Sequence, residues 1–284
     1  MFDKKWAFLA VFTIVLVSIA VFLHKQNPTQ GAEVVFLGIG QGNAVLFSDG
    51  YTNILYDGGP SKSKLSEKLN KHLPVFNRKI DLLVLSHPDK DHIEGAVELL
   101  RYFPVHFVLL NDNVSDTPVY EELQKAIDEA KNKGVVFIYP KAGQEFSVGN
   151  FKIATLWPDR SMKASLSNNS SVVLKIYYGK NSVLLSGDLP KEVEKYLAYK
   201  EGRALKSNIV LAGHHGSKTS TSKSWVGFAN PDFVVISAGK GNSYGHPHMQ
   251  TLKTLEKFKV KVLRTDKQGD IKFKLTGEEV YLDS

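Results

Sequence analysis

Along most of the chain, short apolar runs alternate with segments in which apolar residues recur every three or four positions. Val34-Val35-Phe36-Leu37, Ala44-Val45-Leu46-Phe47 and Asn53-Ile54-Leu55-Tyr56 read as three early strands parted by glycine-containing turns. A helix is predicted over Lys62 to His72, then a strand at Leu82-Leu83-Val84-Leu85. A second helix follows, its stripe made of Ile93, Ala96, Val97 and Leu100. Strands at residues 107–110 and 135–139 flank a helix over 119–131. The middle is strand-rich, with runs at 151–156, 172–178 and 182–185. A helix over 191–199, strands at 208–212 and 232–236, a helix over 249–258 and strands at 260–264 and 270–275 complete the pattern. No solenoid repeat or low-complexity tract interrupts it. Consecutive strands mixed with strand–helix–strand units predict an α/β fold of stacked sheets with helices outside, of a size that suits one domain.

The first 24 residues break this rhythm. Trp6 to Leu23 carries no charge, and its only polar members are Thr13 and Ser18. Its 18 residues are near the lower end of what spans a bilayer as a helix. Lys4 and Lys5 precede it, which keeps the N-terminus in the cytoplasm by the positive-inside rule. A cleaved signal peptide is the alternative, because Ser18-Ile19-Ala20 has small residues at a cleavage-like spacing. The apolar run continues through Val21-Phe22-Leu23, which favours an uncleaved anchor. The expected organisation is an N-terminal transmembrane helix over 1–24, a linker over 25–32 and one domain over 33–284. That makes a single-pass cell-membrane protein with its domain outside the cytoplasm.

Composition narrows the chemistry. There is no cysteine, so disulfides and thiolate metal sites are excluded and any metal must be held by nitrogen and oxygen. The net charge of +7 favours anionic partners such as nucleic acid, teichoic acid or lipid headgroups. The lysines are spread along the chain, so charge alone does not choose among these.

The densest chemistry is His87-Pro88-Asp89-Lys90-Asp91-His92, between the end of a buried strand and the mouth of a helix. Two nearby carboxylates repel and raise each other's pKa, a cost that a divalent cation removes. His214-His215 and Gly245-His246-Pro247-His248 also lie in polar loops after apolar strands. Asp188 leaves the run Val183-Leu184-Leu185-Ser186-Gly187 in the same way. Alone, Asp188 is a natural helix N-cap before Pro190. Beside three histidine-bearing loops it is better placed to bridge two ions. His72 and His106 are taken as ordinary surface or half-buried histidines.

Taken together, these motifs resemble the metallo-β-lactamase superfamily, and within it the C-terminal hydrolase domain of ComEC-type DNA-uptake proteins. The motifs are His87-x-Asp89-x-Asp91-His92, Gly187-Asp188 and His214-His215-Gly216-Ser217. Leu37-Gly38-Ile39-Gly40-Gln41-Gly42-Asn43-Ala44, Ile54 to Pro60, Asn169 to Leu174 and Tyr244 to His248 match further blocks in the same order. The resemblance covers about residues 33–275. It implies an αββα sandwich of two packed mixed sheets, without the membrane helices of the uptake channel. Three departures stand out: Asp89 replaces a histidine, Asn168-Asn169-Ser170 stands where many members have a third histidine, and Gly38 stands where this branch often has Asp.

The implied site holds two divalent ions, Zn²⁺ or Mn²⁺, the oxygen-rich ligands shifting preference towards manganese. His87 and Asp89 are expected on the first ion and Asp91 and His92 on the second, with Asp188 between them and His214 capping the second. Asp91 and His215 are the expected catalytic residues. Asp57 is expected to orient a ligand histidine from behind. Ser217, Lys218, His246 and His248 are candidates for substrate phosphate, although loop hydrogen bonding would equally explain His215 and His248. Helix capping would explain Ser217 and Thr219. The implied reaction is phosphodiester hydrolysis on DNA, with an uptake channel as a possible partner. The alternatives are a cell-envelope phosphodiesterase or phosphorylcholine esterase, and a DNA-binding receptor without turnover. The acids at 89, 91 and 188 speak against the receptor, since bare carboxylates repel phosphate.

Overall fold

The central strands of the domain bury both of their faces, and that requirement dictates three layers of core. In β1 (Ala32–Phe36), the side chains of Ala32, Val34 and Phe36 enter one apolar cluster, and Val35 enters another. β4 (Ile80–Leu85) divides the same way, Leu82 and Val84 to one side and Leu83 and Leu85 to the other. A strand alternates its side chains with a period of two, so a run of consecutive apolar residues is stable only between two apolar layers. The computed structural model describes residues 31–162 and 166–283. The expected anchor over 1–24 and most of the linker lie outside the described residues; among those described, no helix is long and apolar enough to cross a membrane.

Two mixed sheets face each other. After β1 come β2 (Val45–Ser48), β3 (Asn53–Tyr56), α1 (Lys62–His72), β4, α2 (Lys90–Tyr102), β5 (Val105–Leu110), α3 (Pro118–Asn132) and β6 (Val136–Ile138). The other half adds β7 (Glu145–Val148), β8 (Phe151–Trp157), β9 (Val173–Tyr178), β10 (Asn181–Leu185), α4 (Lys191–Glu201), β11 (Ile209–Leu211), α5 (Lys223–Ala229), β12 (Phe233–Ile236), α6 (Met249–Lys257), β13 (Lys261–Arg264), α7 (Thr265–Gln268), β14 (Ile271–Leu275) and β15 (Val280–Asp283). The first sheet runs β15-β14-β1-β2-β3-β4-β5-β6 and the second β13-β12-β11-β10-β9-β8-β7. In both, an antiparallel half is fused to a parallel half: β3 to β6 in one and β10 to β13 in the other.

The inner core joins the sheets through contacts such as Phe47 against Phe151, edge to face at 6.1 Å, and the Tyr56 hydroxyl donating to Val172 O at 2.7 Å. Leu65, Ile93 and Leu123 of α1, α2 and α3 cover the outside of the first sheet. Leu197, Trp225 and Leu255 of α4, α5 and α6 cover the second. This is the αββα sandwich that the apolar pattern and the resemblance lead one to expect. β7, β15, α5 and the four-residue α7 are additions to the predicted elements. β7 and β15 are four-residue edge strands stabilised by antiparallel pairing to β8 and β14, which a short stretch of sequence does not announce. α5 has seven residues, too few for a clear 3.6-residue period.

Candidate metal centre

His87, Asp188, His214 and His246 all follow the carboxyl ends of strands from the parallel halves, namely β4, β10, β11 and β12. That rim is where open α/β sheets present loops to ligands. On the first sheet, Leu82 to Leu85 are buried and the chain leaves β4 as Ser86-His87-Pro88-Asp89 before α2 starts. Asp89 sits at the N-cap of α2 without capping it. Its Oδ1 instead accepts a hydrogen bond from Ser167 Oγ at 2.5 Å. Asp91 and His92 occupy the first turn of the helix.

Glycines press that turn against β3. A Cβ built on Gly95 would lie 2.1 Å from Gly58 O, and one on Gly58 would lie 2.5 Å from Ala96 N. Without side chains there, Gly58 N donates to His92 O at 2.7 Å and Gly95 N to Gly59 O at 3.1 Å.

The second sheet supplies the facing side chains. Gly187, at φ 51°, turns the chain sharply at the end of β10 and delivers a buried Asp188. His214 and His215 follow β11 with left-handed φ values of 48° and 54°, unusual for non-glycine residues and here found in succession. The two rings therefore diverge, with an interplanar angle of 76°. His215 is buried, its Nδ1 3.0 Å from Ser237 O, whereas His214 is partly exposed, its Nδ1 3.0 Å from Thr219 Oγ1.

Two groups of possible ligand atoms result. His87, His92 and Asp188 form one, and Asp91, His92 and His215 form the other. Asp188 Oδ1 lies 3.3 Å from His92 Nε2, and Asp188 Oδ2 lies 3.5 Å from the Nε2 atoms of both His214 and His215. Asp89 Oδ2 is 3.5 Å from His87 Nε2, and Asp91 Oδ2 is 3.1 Å from His215 Nε2. The third side chain beside Asp91 and His92 is thus His215, in place of the expected His214. Divergence of the two rings at the left-handed turn decides this: His215 points inward to the helix turn and His214 reaches only the Asp188 edge.

The chemistry of the pocket fits a divalent cation. His87 Nε2, His92 Nε2 and Asp188 Oδ1 are buried and have no hydrogen-bond partner. Each such orphan costs about 1–3 kcal/mol unless something else satisfies it. Three of them converging from two segments, one on each sheet, all nitrogen or oxygen, form a cradle for an oxophilic or borderline metal. Behind the histidines, Asp57 Oδ2 meets His92 Nδ1 at 2.8 Å and accepts from Ser86 Oγ at 2.8 Å. Ser86 Oγ also lies 2.9 Å from His87 Nδ1, and Ser86 N donates to Asp57 Oδ1 at 2.7 Å. Both inner histidines are therefore gripped through Nδ1, leaving Nε2 aimed into the pocket.

Electrostatics follow from this crowding. Burial opposes ionisation of Asp188, yet the neighbouring His215 and His92 overcome it and hold the carboxyl well below the usual carboxylate range. Burial likewise opposes charging of His92, but Asp188 and Asp57 raise its pKa well above the usual histidine value. Asp91 is depressed to about 2, His92 and His215 outweighing its burial. His246 moves the other way, to about 4, because burial and the nearby charges of His215 and His214 disfavour its proton.

Around this centre, His246 stacks on Tyr244 at 5.7 Å and stands 5.5 Å from the His214 ring. The other expected phosphate contacts divide. Lys218 is exposed, but Ser217 is buried with its hydroxyl 2.9 Å from Thr219 Oγ1, and His248 accepts the Lys218 N–H at the start of α6. His72 pairs with Asp270, and His106 lies near Asp81 at 3.5 Å, both away from the centre.

Four residues not singled out individually from sequence support the site: Ser86, Ser167, Ser237 and Gln41. Gln41 bonds to the His246 ring and to Gly239 N. Two of them had a visible signal: Ser86, directly between a buried strand and a histidine, and Gln41, inside the Leu37 to Ala44 block.

Residues 37–151 match the metallo-beta-lactamase superfamily. The chain carries a metallo-beta-lactamase domain. It is 31% identical over 270 residues to ComE operon protein 3 of Bacillus subtilis, an alignment that covers 89% of the chain and 34% of the relative. Competence protein ComA of Neisseria gonorrhoeae is 26% identical over 96% of the chain and 36% of its own length. The chain thus spans about a third of the length of these curated relatives. Among solved structures, the metallo-beta-lactamase fold protein YhfI of Bacillus subtilis superposes with a TM-score of 0.52 at 16% identity. That superposition covers 82% of this chain and 96% of YhfI, and it speaks to fold alone. The superfamily consists generally of metal-dependent hydrolases, and the chain is similar to proteins named for competence.

Proposed function

We propose that the protein is a membrane-anchored, extracytoplasmic, metal-dependent phosphodiesterase that cleaves DNA during its uptake. The observation that carries this reading is the convergence of His87, His92 and Asp188 with three unsatisfied buried atoms, in a chain related to competence proteins. The proposed ligand set is His87, Asp89, Asp91, His92, Asp188 and His215, with His214 at the Asp188 edge, for two ions of zinc or manganese. Divalent ions bound there supply Lewis acidity and a nucleophile from water at neutral pH. Asp57 and Ser86 fix the rings of His92 and His87. The exposed Lys218 and the mostly buried His246 meet the phosphate and offset charge as it develops on oxygen. A net charge of +7 draws a polyanion to the surface. The apolar run at 6–23 would hold the domain at the outer face of the membrane, beside a channel partner.

The test is to incubate the purified chain with single- and double-stranded DNA plus Mn²⁺ or Zn²⁺. Asp89→Ala and Asp188→Ala are expected to abolish cleavage. Cleavage that survives both substitutions would remove the proposal. Release of choline from wall polymer with DNA left intact would replace DNA by a cell-envelope substrate.

A further inference from the structure

A cleft of about 340 Å³ lies beside the metal centre, between the Gly38–Gln41 loop and the Gly239–Asn242 turn, with Lys64 and Lys240 at its edge. Both lysines are exposed. We propose that this cleft is a second phosphate subsite, seating another phosphate of the same nucleic-acid strand at a distance from the one cleaved. The inference rests on the phosphodiesterase reading and names how that site would prefer a polymer.

Gln41 joins the two places: its Nε2 lies 3.2 Å from His246 Nδ1, and its Oε1 accepts the Gly239 N–H at 3.1 Å. The His246 ring is in turn 6.1 Å from the ring of His215, which touches Asp91. Two side chains in contact, Gln41 and His246, therefore link the cleft to the histidines of the centre.

Its walls are backbone-rich. A Cβ on Gly239 would lie 2.8 Å from Gln41 N, so the two loops abut only because that position is glycine. Gly40, at φ 101°, has the Lys64 ammonium 3.8 Å from where a Cβ would stand. A glycine wall beneath an ammonium lets a phosphate approach the main chain closely.

The turn is rigid, since Asn242 Nδ2 donates to Gly239 O and His246 O while its Oδ1 accepts the His246 N–H. The Gly38 loop is tied down as well, Gly38 N donating to Asp270 Oδ1 at 2.9 Å. Asp266 also lines the cleft. Its carboxylate is taken up by both forks of Arg264, at 2.9 and 2.6 Å, so it is neutralised and leaves the two lysines as the net charge.

The experiment measures binding of a fluorescent single-stranded oligonucleotide by anisotropy, across a salt series, with chelator-treated full chain. In parallel, cleavage by metal-loaded wild type is recorded. Each phosphate contact on a single strand contributes about 0.7 to the slope of log affinity against log salt. K64A/K240A is expected to reduce that slope by about 1.4 and to bind about tenfold more weakly at 50 mM salt. Its deficit should shrink about sevenfold by 200 mM. K64E/K240E should bind more weakly still. Equal affinity and parallel salt lines for wild type and K64A/K240A would overturn the subsite while leaving the phosphodiesterase reading intact if wild type cleaves DNA. Wild type that neither binds nor cleaves the strand would overturn both.

Discussion

His92 is held on one edge by Asp57 and presents its other nitrogen to the pocket, so its usefulness as a ligand depends on a carboxylate that never reaches the pocket. Asp57 has φ 62°, a conformation asparagine tolerates, so Asp57→Asn removes the charge without new backbone strain. That substitution is expected to weaken metal affinity about 10–100-fold, measured by competition with a chromogenic chelator. Glu194, packed against Gly213 and outside the proposed ligand set, offers a separate pH test. It is fully buried, accepts the N–H groups of Thr221 and Ser222 at 2.7 and 2.6 Å, and burial pushes its pKa up to about 7. Its folded pKa lies above the unfolded carboxyl value, so the folded state binds the proton more tightly. The stability it contributes is present below about pH 4.5 and is lost as pH rises through about 7, amounting to roughly 3 kcal/mol. Urea unfolding at pH 5 and pH 8 should show that Glu194→Gln loses this portion of the pH dependence. A pH profile identical to wild type would refute the assignment.

At the scale of elements, the placement of α2 decides whether Asp91 and His92 face the second sheet. Its stripe of Ile93, Ala96, Val97 and Leu100 was legible as a helix because a period of 3.6 is written in consecutive residues. Its closeness to β3 was not legible, since that depends on Gly58 and Gly95 meeting across 37 residues of chain. Gly95→Ala should improve helix propensity by about 1 kcal/mol yet destabilise the protein by about 1–3 kcal/mol, because the added methyl collides with Gly58 O. Denaturant titration checks the sign, and weaker metal binding by the same variant would show that the turn has been pushed outward. The same distinction explains β7 and β15. Their stability comes from a partner strand, and four residues of Glu145-Phe146-Ser147-Val148 carry too little period to reveal it.

Over the whole molecule, the candidate centre is a clamp between the sheets: His87, Asp91 and His92 come from the first, and Asp188 and His215 from the second. A cation that satisfies the orphaned atoms would bind the folded state and not the unfolded chain. Free metal at 100 times its dissociation constant should then add about 2.7 kcal/mol, read as a higher melting temperature that chelator reverses. Asp188→Ala should abolish that increment, and a melting temperature indifferent to metal in wild type would contradict the clamp. Since His92 and His215 carry raised pKa values, binding must displace protons from them, and metal affinity should fall as the solution becomes more acidic.

The residue types of the centre, their order and their attachment to strand ends were determined by the sequence, because a strand followed by a polar loop is a local pattern. The sandwich itself was also implied, through runs that must be buried on both faces. Which histidine of the adjacent pair meets Asp91 was decided only by tertiary structure. It follows from two left-handed residues after β11 and from packing that brings together groups 124 residues apart. Ser86, Gln41 and Glu194 likewise acquire their roles from neighbours distant in the chain. Hydrogen bonds of that kind leave no periodic trace in the residues that make them.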